Sequence, residues 1–330
     1  MRVSREQFRN RVLEFLWRQW SALGVAGGDP ATERWIIDPE ALLWITTRLG
    51  REPRLFDEVF DWLDINGSFI NLQRLKTLGQ RIGDAGVLAA MAEHLSRRTV
   101  HAKWKVFARK TTGSRVPELL FPGIPSVRAP DEIFARHGWL RGPVRFRHLS
   151  QSPDPRRPTN LLLQLRALFG LQARAEVMAY LLAQESGHAG EMARRLGYFP
   201  RTLQSTLNDL ARSGQVEFHR EGLEKRFQLR HDDWRFLLAG STGPGTHFMG
   251  YPRWVDWVDG FEALEAVARF LDRPELEKAS PELRAIEMRA AVEALDPGWV
   301  RQNIRIPPGA AAEDQVQAVI HGVLGFLQSA

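Results

Sequence analysis

The sequence predicts a mainly α-helical protein in which three short helices and a β-hairpin stand between helical N- and C-terminal regions. Three observations support this architecture: apolar residues recur at helical spacing along most of the chain, short turns separate three helices near its middle, and two alternating segments follow them. The 330 residues, 44% of them hydrophobic, are enough to build more than one hydrophobic core. We therefore expect two or three compact units.

Residues 1–114 are predicted to form a helical N-terminal domain. Asp38 and Pro39 are a capping residue and a first-turn proline, and Gly50 closes the helix that they open. Apolar residues at steps of three and four then predict three further helices, at 53–63, 72–78 and 85–110. We therefore expect an all-helical first domain.

Residues 115–160 are predicted to be an irregular connector and linker. Prolines interrupt residues 115–149, where one helix is expected near 131–137. Three more prolines and almost no apolar residues fall within 150–160, which predicts a semi-rigid, exposed linker.

The C-terminal region, residues 240–330, is expected to be helical again. The Gly-rich run 240–246 predicts a flexible joint at its start. Helical spacing and capping residues then predict three helices, at 252–271, 280–295 and 311–328.

The most informative stretch lies within residues 161–239. Three helices are predicted there, at 173–183, 188–196 and 200–213. Gly187 separates the first two, and the tight turn Gly197–Phe199 leads into the third at a steep angle, as helix-turn-helix units require.

The third of these helices has one apolar and one polar side. Leu203, Leu207 and Leu210 step by four and three, so they point one way and are expected to face a core. The opposite side suits a major groove, where arginine reads guanine, asparagine or glutamine reads adenine, and hydroxyls contact phosphates or base edges. Its candidate DNA-binding residues are Arg201, Thr202, Gln204, Ser205, Asn208 and Arg212.

Alternating segments at 214–219 and 225–230 predict a β-hairpin directly after this helix. Its cations Arg220, Lys225 and Arg226 are candidates for contact with flanking phosphates or an adjacent minor groove. The alternative is a solvated hairpin tip, since exposure is the default for charged side chains.

The three helices followed by the hairpin resemble the winged helix-turn-helix of bacterial transcription regulators of the MarR- and ArsR-like group. The resemblance rests on Glu191–Gly197, Thr202–Leu207, Leu210–Val216 and the basic hairpin. The chain departs from the group at Phe199–Pro200, where small polar residues are more usual. The whole chain also resembles, more faintly, uncharacterised bacterial regulators encoded beside nucleotidyltransferase-like toxins, which implies an antitoxin or a self-repressing regulator.

We therefore expect a transcriptional regulator, of the repressor type, that binds double-stranded DNA sequence-specifically. One recognition helix reads only a few base pairs, so a homodimer is expected. The alternative is an antitoxin or interaction protein that sequesters a partner such as a toxin, with DNA binding secondary, because the same fold also serves as a protein-binding module.

The net charge of +6 is unevenly distributed, with +8 in residues 1–150, +3 in 151–240 and −5 in 241–330. Such asymmetry is expected when one side of a molecule meets a polyanion. Residues 72–78 also fit a second, degenerate helix-turn-helix. A further basic stretch is either an auxiliary phosphate-binding surface or a solvated helix face; it comprises Arg97, Arg98, His101, Lys103, Lys105, Arg109 and Lys110.

Other function classes find little support in the sequence. The absence of cysteine excludes disulfides and thiolate sites. The acidic residues at 57–64 alternate with apolar ones as in any amphipathic helix, and the chain has neither a zinc-type histidine pair nor a phosphate-binding loop. We expect neither an enzyme nor a metal or cofactor site. Charged residues near the start, and no apolar run of about 20 residues, predict a cytoplasmic protein without a membrane partner.

Overall fold

The computed structural model describes residues 2–29, 34–108, 116–124, 127–241 and 250–329. The described chain is mainly helical, as predicted, and its few strands form small sheets. Two hydrophobic clusters organise the fold. We call the cluster shared by helices from both ends of the chain the composite core, and we call residues 161–238, which supply most of the other cluster, the central unit.

Five helices form the N-terminal part of the composite core: α1 Arg5–Ala22, α2 Pro39–Leu49, α3 Pro53–Asn66, α4 Leu72–Leu78 and α5 Ala85–Ser96. The predicted start of α2 is confirmed, since Asp38 accepts a hydrogen bond from the Ala41 N–H at 3.0 Å and Pro39 holds the first position. Short 3-10 segments follow α3 and α5 at Gly67–Phe69 and Thr99–Val106.

The C-terminal helices complete the same core. They are α11 Trp257–Leu271, α12 Pro274–Glu277, α13 Pro281–Glu293, α14 Pro297–Asn303 and α15 Ala312–Ser329. Helix α1 packs against α2, α11 and α15, and the Val3 N–H donates to Gln317 Oε1 at 2.8 Å. The predicted N- and C-terminal helical regions therefore share one core.

The helix predicted over 85–110 is wrong in its second half. Helix α5 ends at Ser96, and the backbone of His101 leaves the helical region of φ and ψ. This break turns the His101 ring inward, where Nε2 lies 2.5 Å from the carbonyl oxygen of Asp64. A tertiary contact therefore overrides the local helical pattern. Residues 109 and 110 lie outside the described part of the chain.

The helix predicted from residue 252 begins five residues later. The backbone around Arg253 is extended instead: its N–H donates to the carbonyl of Arg34 at 2.8 Å, and its own carbonyl accepts from Ile36 N–H at 3.0 Å. Backbone pairing thus replaces the first helical turn. A flexible joint was predicted at 240–246, but its residues from 242 onward lie outside the described part of the chain.

In its described residues, the connector contains one α-helix, α6 Glu132–Arg136, close to the predicted position, and a 3-10 segment at Pro158–Asn160. Strand β1, Glu118–Leu119, pairs in parallel with β2, Trp139–Leu140.

Beyond the connector, the segment predicted as an exposed linker is fastened to the N-terminal helices. The carboxylate of Asp61 accepts hydrogen bonds from four consecutive backbone N–H groups, those of residues 147–150. Asn160 Nδ2 donates to the carbonyl of Ala22 at 3.0 Å. Ser150 and Asn160 are buried, so the prediction of exposure is wrong at both ends of the segment. The prediction failed because the backbone N–H groups of residues 147–150 and the side-chain amide of Asn160 find partners on distant helices.

The central unit is built from four helices and a small sheet. The helices are α7 Leu161–Phe169, α8 Ala173–Ala183, α9 Ala189–Leu196 and α10 Pro200–Arg212. The strands are β3 Gly187–His188, β4 Glu217–Glu221 and β5 Glu224–Gln228, antiparallel and in the spatial order β3-β5-β4. A 3-10 segment, His231–Ser241, follows. The predicted hairpin is confirmed, with shorter strands and its tip at residues 222–223.

Candidate nucleic-acid interface

Helix α10 is oriented by the turn before it and by its leucine side. Gly197 closes α9 with a φ of +71°, a left-handed conformation that glycine adopts without strain. Pro200 occupies the first position of α10. Leu203 and Leu207 are fully buried and Leu210 nearly so, as predicted. The opposite side of α10 therefore faces away from the core of the central unit.

The six candidate residues of α10 lie along that outward side. Four are exposed, whereas Gln204 and Asn208 are half-buried. Gln204 Nε2 donates to Asn208 Oδ1 at 3.3 Å, so these two amides are held relative to each other. The exposed four are Arg201, Thr202, Ser205 and Arg212.

Lys225 joins the hairpin to α10. Its Nζ donates to Asn208 Oδ1 at 3.2 Å and lies 3.6 Å from the centroid of the Phe218 ring. Arg220 is the partner of Lys225 across the hairpin and is exposed. The structure therefore brings the outer side of α10 and two of the predicted hairpin cations into one continuous surface.

Arg226, the third hairpin cation, is engaged within the sheet. Its Nε donates to Ser186 Oγ at 3.2 Å and lies 3.3 Å from a carboxylate oxygen of Glu221. Only 23% of its side chain is exposed. These contacts fasten β5 to the loop before β3, which makes Arg226 less suited than Arg220 to a phosphate.

Several neighbours of this surface were missed at the sequence level. Phe199, at the head of α10, is 72% exposed, and Leu223 projects fully from the hairpin tip. Three glutamates, Glu217, Glu221 and Glu224, alternate with the hairpin cations. Phe199 entered the sequence analysis only as a departure from the regulator group, and Leu223 and the glutamates were not considered as site residues.

Much of the charge asymmetry along the chain is balanced by ion pairs between its different regions. Basic residues of the first and middle thirds pair with acidic residues of the last third. Arg81, for instance, lies 2.7 Å from Asp259 and 2.6 Å from Glu262. The other such pairs are Arg2–Glu313, Arg5–Asp272, Arg194–Asp259, Arg194–Asp296 and Arg195–Asp256. The asymmetry is therefore not by itself the footprint of a polyanion.

The second basic stretch is likewise engaged with its own domain. Arg98 lies 2.5 Å from Asp64, and Arg97 lies 3.2 Å from Glu93. Lys103 donates to backbone carbonyls of the 3-10 turn after α3, and burial lowers its pKa. These contacts favour a structural role for the stretch over phosphate binding.

A buried ion cluster fastens the central unit to the composite core. Its members, all essentially without exposure, are Asp38, Glu40, Arg74, Arg166 and Glu176. Arg74 of α4 pairs with Asp38 and Glu40 at the start of α2. Arg166 of α7 lies 2.7 Å from Glu40 and 2.7 Å from Glu176 of α8. Glu40 thus receives one arginine from each side of the boundary.

The cluster also reaches the turn before α10. Arg74 Nε donates to the carbonyl of Leu196 at 2.7 Å, and Asn71 Nδ2 donates to the Tyr198 hydroxyl at 2.7 Å. Burial alone lowers the pKa of Arg74, but the attraction of Asp38 and Glu40 outweighs it and keeps that pKa above its usual value. The arginine is therefore charged, and it fixes the turn against α4.

Nothing in the described part of the chain suggests a metal centre, since no three His, Asp or Glu side chains gather closely enough to hold one. The described helices include none with the length and apolar character that a bilayer crossing demands. The chain matches no known protein family, no curated protein and no solved structure.

Proposed function

We propose that residues 161–239 form a winged helix-turn-helix that binds double-stranded DNA, and that the protein is a sequence-specific transcriptional regulator of the repressor type. In this proposal α10 enters the major groove, and the β4–β5 hairpin is the wing that contacts the neighbouring backbone. The element order α8-β3-α9-α10-β4-β5, with the strands in the spatial order β3-β5-β4, is consistent with this fold.

One observation carries the proposal: the outer side of α10 is solvent-facing, polar and continuous with the hairpin through Lys225. Arg201 would read guanine, with which arginine pairs through two hydrogen bonds. Asn208 would donate from Nδ2 to a base-edge acceptor, because its Oδ1 already accepts from Gln204 and Lys225. Arg212 and Arg220, both exposed, would contact phosphates. Lys225 would hold Asn208 in its reading position.

The first experiment selects preferred sequences from a random duplex library with the full-length protein. The double variant Arg201→Ala, Asn208→Ala is then compared with the wild type by fluorescence anisotropy on the selected duplex. Each lost base contact is expected to weaken the free energy of DNA binding by about 1–3 kcal/mol. Arg289→Ala is the matched control, because Arg289 is an exposed arginine on α13 whose partner is Gln315. Failure to enrich any sequence would contradict the proposal.

The second experiment measures the salt dependence. Wild-type affinity should fall as salt rises, because phosphate contacts release counterions. Arg212→Ala and Arg220→Ala should each reduce the slope of log affinity against log salt by about one. An affinity independent of salt would rule out a phosphate-tracking surface.

The apolar and acidic neighbours of the surface favour a second candidate, an antitoxin or interaction protein that sequesters a partner protein. Phe199 and Leu223 are exposed large apolar side chains, and the hairpin glutamates would repel phosphates. Leu223→Ser separates the candidates. It should leave DNA affinity nearly unchanged if the hairpin contacts only phosphates, and it should abolish capture of a co-purifying protein if the tip is an apolar anchor.

A homodimer remains part of the proposal, because two α10 helices would read two half-sites in successive turns of the duplex. Light scattering of the protein, free and bound to the selected duplex, tests it directly. A monomer in both states would remove the dimer from the proposal.

A further inference from the structure

A cavity of about 310 Å³ lies within the composite core, on elements other than those of the candidate DNA-binding surface. Helix α1, the C-terminal end of α2, the C-terminal end of α11 and the β1–β2 region line it. Arg5 and Arg269, both more than half exposed, belong to the lining, so the cavity opens to solvent. Its volume falls in the range of small-molecule sites, about 300–1,000 Å³.

Part of the wall is apolar. Phe8 and Trp139 are buried, and Leu49 and Leu271 add aliphatic surface. The guanidinium of Arg51 lies 4.2 Å from the centroid of the Trp139 ring and 2.7 Å from Asp84. Stacking and ion pairing together hold Arg51 in place. This wall offers a preformed surface to the apolar body of a ligand.

The charges of the lining are unequal. Among the lining residues that the structure describes, five arginines face four carboxylates. Arg5 lies 2.6 Å from Asp272, and Arg269 lies 3.7 Å from Glu265, which also accepts the Gly83 N–H. Together with the Arg51–Asp84 pair, these contacts engage three of the arginines.

The two remaining arginines are Arg9 and Arg48. Arg9 donates only to a backbone carbonyl, that of Arg51, at 3.3 Å. Within the residues that the structure describes, neither Arg9 nor Arg48 has a carboxylate at ion-pair distance. Burial raises the pKa of Glu265 and the attraction of Arg48 opposes that rise, although the two side chains are not at ion-pair distance. Two guanidinium groups that lack a carboxylate at ion-pair distance among the described residues, beside an apolar wall, are suited to one carboxylate.

We propose that this cavity binds a small organic monoanion, a carboxylate on a compact apolar body, with Arg9 and Arg48 receiving the carboxylate and Phe8, Leu49 and Leu271 enclosing the body. Among the described lining residues the arginines exceed the carboxylates by one, which favours a monoanion over a phosphate dianion. This site does not depend on whether α10 binds DNA.

The test uses cyclohexanecarboxylate as the probe and cyclohexanecarboxamide, its neutral equivalent, as the matched ligand. Saturation-transfer NMR and calorimetry on the full-length protein should give saturable carboxylate binding, with a dissociation constant of about 1 mM or below. The amide should bind at least about tenfold more weakly, because it lacks the charge that the arginines receive.

Variants locate the site. Arg9→Met and Arg48→Met should each weaken carboxylate binding at least about tenfold, whereas Arg289→Met, on α13, should not change it. Ala268→Leu fills the cavity without altering charge and should also abolish binding, which keeps the test valid if an arginine variant unfolds. The proposal is overturned if the amide binds as tightly as the carboxylate, if no saturable binding occurs, or if folded variants bind like the wild type.

Discussion

The composite core and the central unit differ in how far along the chain their contacts reach. The central unit draws nearly all of its core from residues 161–238, so neighbours in space are near neighbours in sequence. The composite core joins helices from opposite ends, with Val3 bonded to Gln317. Local contacts leave periodic patterns that a sequence reveals, whereas distant contacts leave none. The difference explains why the helices of both regions were predictable, whereas the joining of the N- and C-terminal helices in one core was not.

The largest expected effect comes from cutting the connection between the two regions. Arg166→Met removes one arginine from the buried ion cluster and leaves Glu40 and Glu176 without its charge. Loss of one partner of a buried ion pair costs about 3–5 kcal/mol in the free energy of unfolding. Urea unfolding followed by circular dichroism measures this cost. The control, Arg273→Met, removes a surface arginine whose ion pairs with Glu275 and Glu287 are exposed, and it should change the unfolding midpoint little, because surface ion pairs contribute about 0–1 kcal/mol.

A matched pair of core variants tests whether the regions unfold together. Leu207 belongs to the central unit and Leu264 to the composite core, and both are fully buried. Leu207→Ala and Leu264→Ala should each lower the free energy of unfolding by about 2–5 kcal/mol. In the otherwise wild-type protein, each substitution should shift a single unfolding transition of the whole molecule, because the ion cluster couples the two regions. In the Arg166→Met background, Leu207→Ala should shift only an early transition; a single transition there would show that coupling does not depend on the cluster.

A smaller effect distinguishes the turn before α10 from the hairpin tip. Gly197 and Gly222 both have positive φ, +71° and +62°, so alanine at either costs about 1–2 kcal/mol. A Cβ at Gly197 would also lie 3.0 Å from Leu78, whereas one at Gly222 would meet nothing within 4 Å. Gly197→Ala should therefore be the more destabilising in thermal unfolding. Equal costs would mean that the turn is not held against α4.

The smallest effect concerns pH and is confined to the composite core. Burial lowers the pKa of His94 below its usual 6.5, despite the Asp131 carboxylate 2.8 Å from its Nε2. The folded state thus prefers the neutral ring, and this contribution to stability is present above pH 6.5 and is lost as the pH falls below it. Unfolding midpoints measured from pH 7.5 down to 5.5 should fall less in His94→Gln than in the wild type. Identical profiles would contradict the assignment.

How much of the molecule was predictable follows from these contacts. The leucine side of α10, the Asp38 cap and the hairpin were all correct, because each depends on residues a few positions apart. The long helix through His101 failed, because the ring of that residue binds a carbonyl 37 positions away. The ion cluster was invisible for the same reason: Arg166 and Glu40 are 126 positions apart. The contact that holds Arg226 was also invisible, because its partner Ser186 is 40 positions away.

The joining of both chain ends in one core has a consequence for synthesis on the ribosome. Helix α15 supplies Val316, Val319, Ile320 and Val323 to the composite core, and it emerges last. The first helices must therefore wait with apolar surface uncovered, while the central unit can already fold behind them, since domains fold as units as they emerge. Until α15 has been synthesised, the N-terminal helices expose the apolar surface that α15 later covers, which makes this region prone to aggregation or chaperone binding.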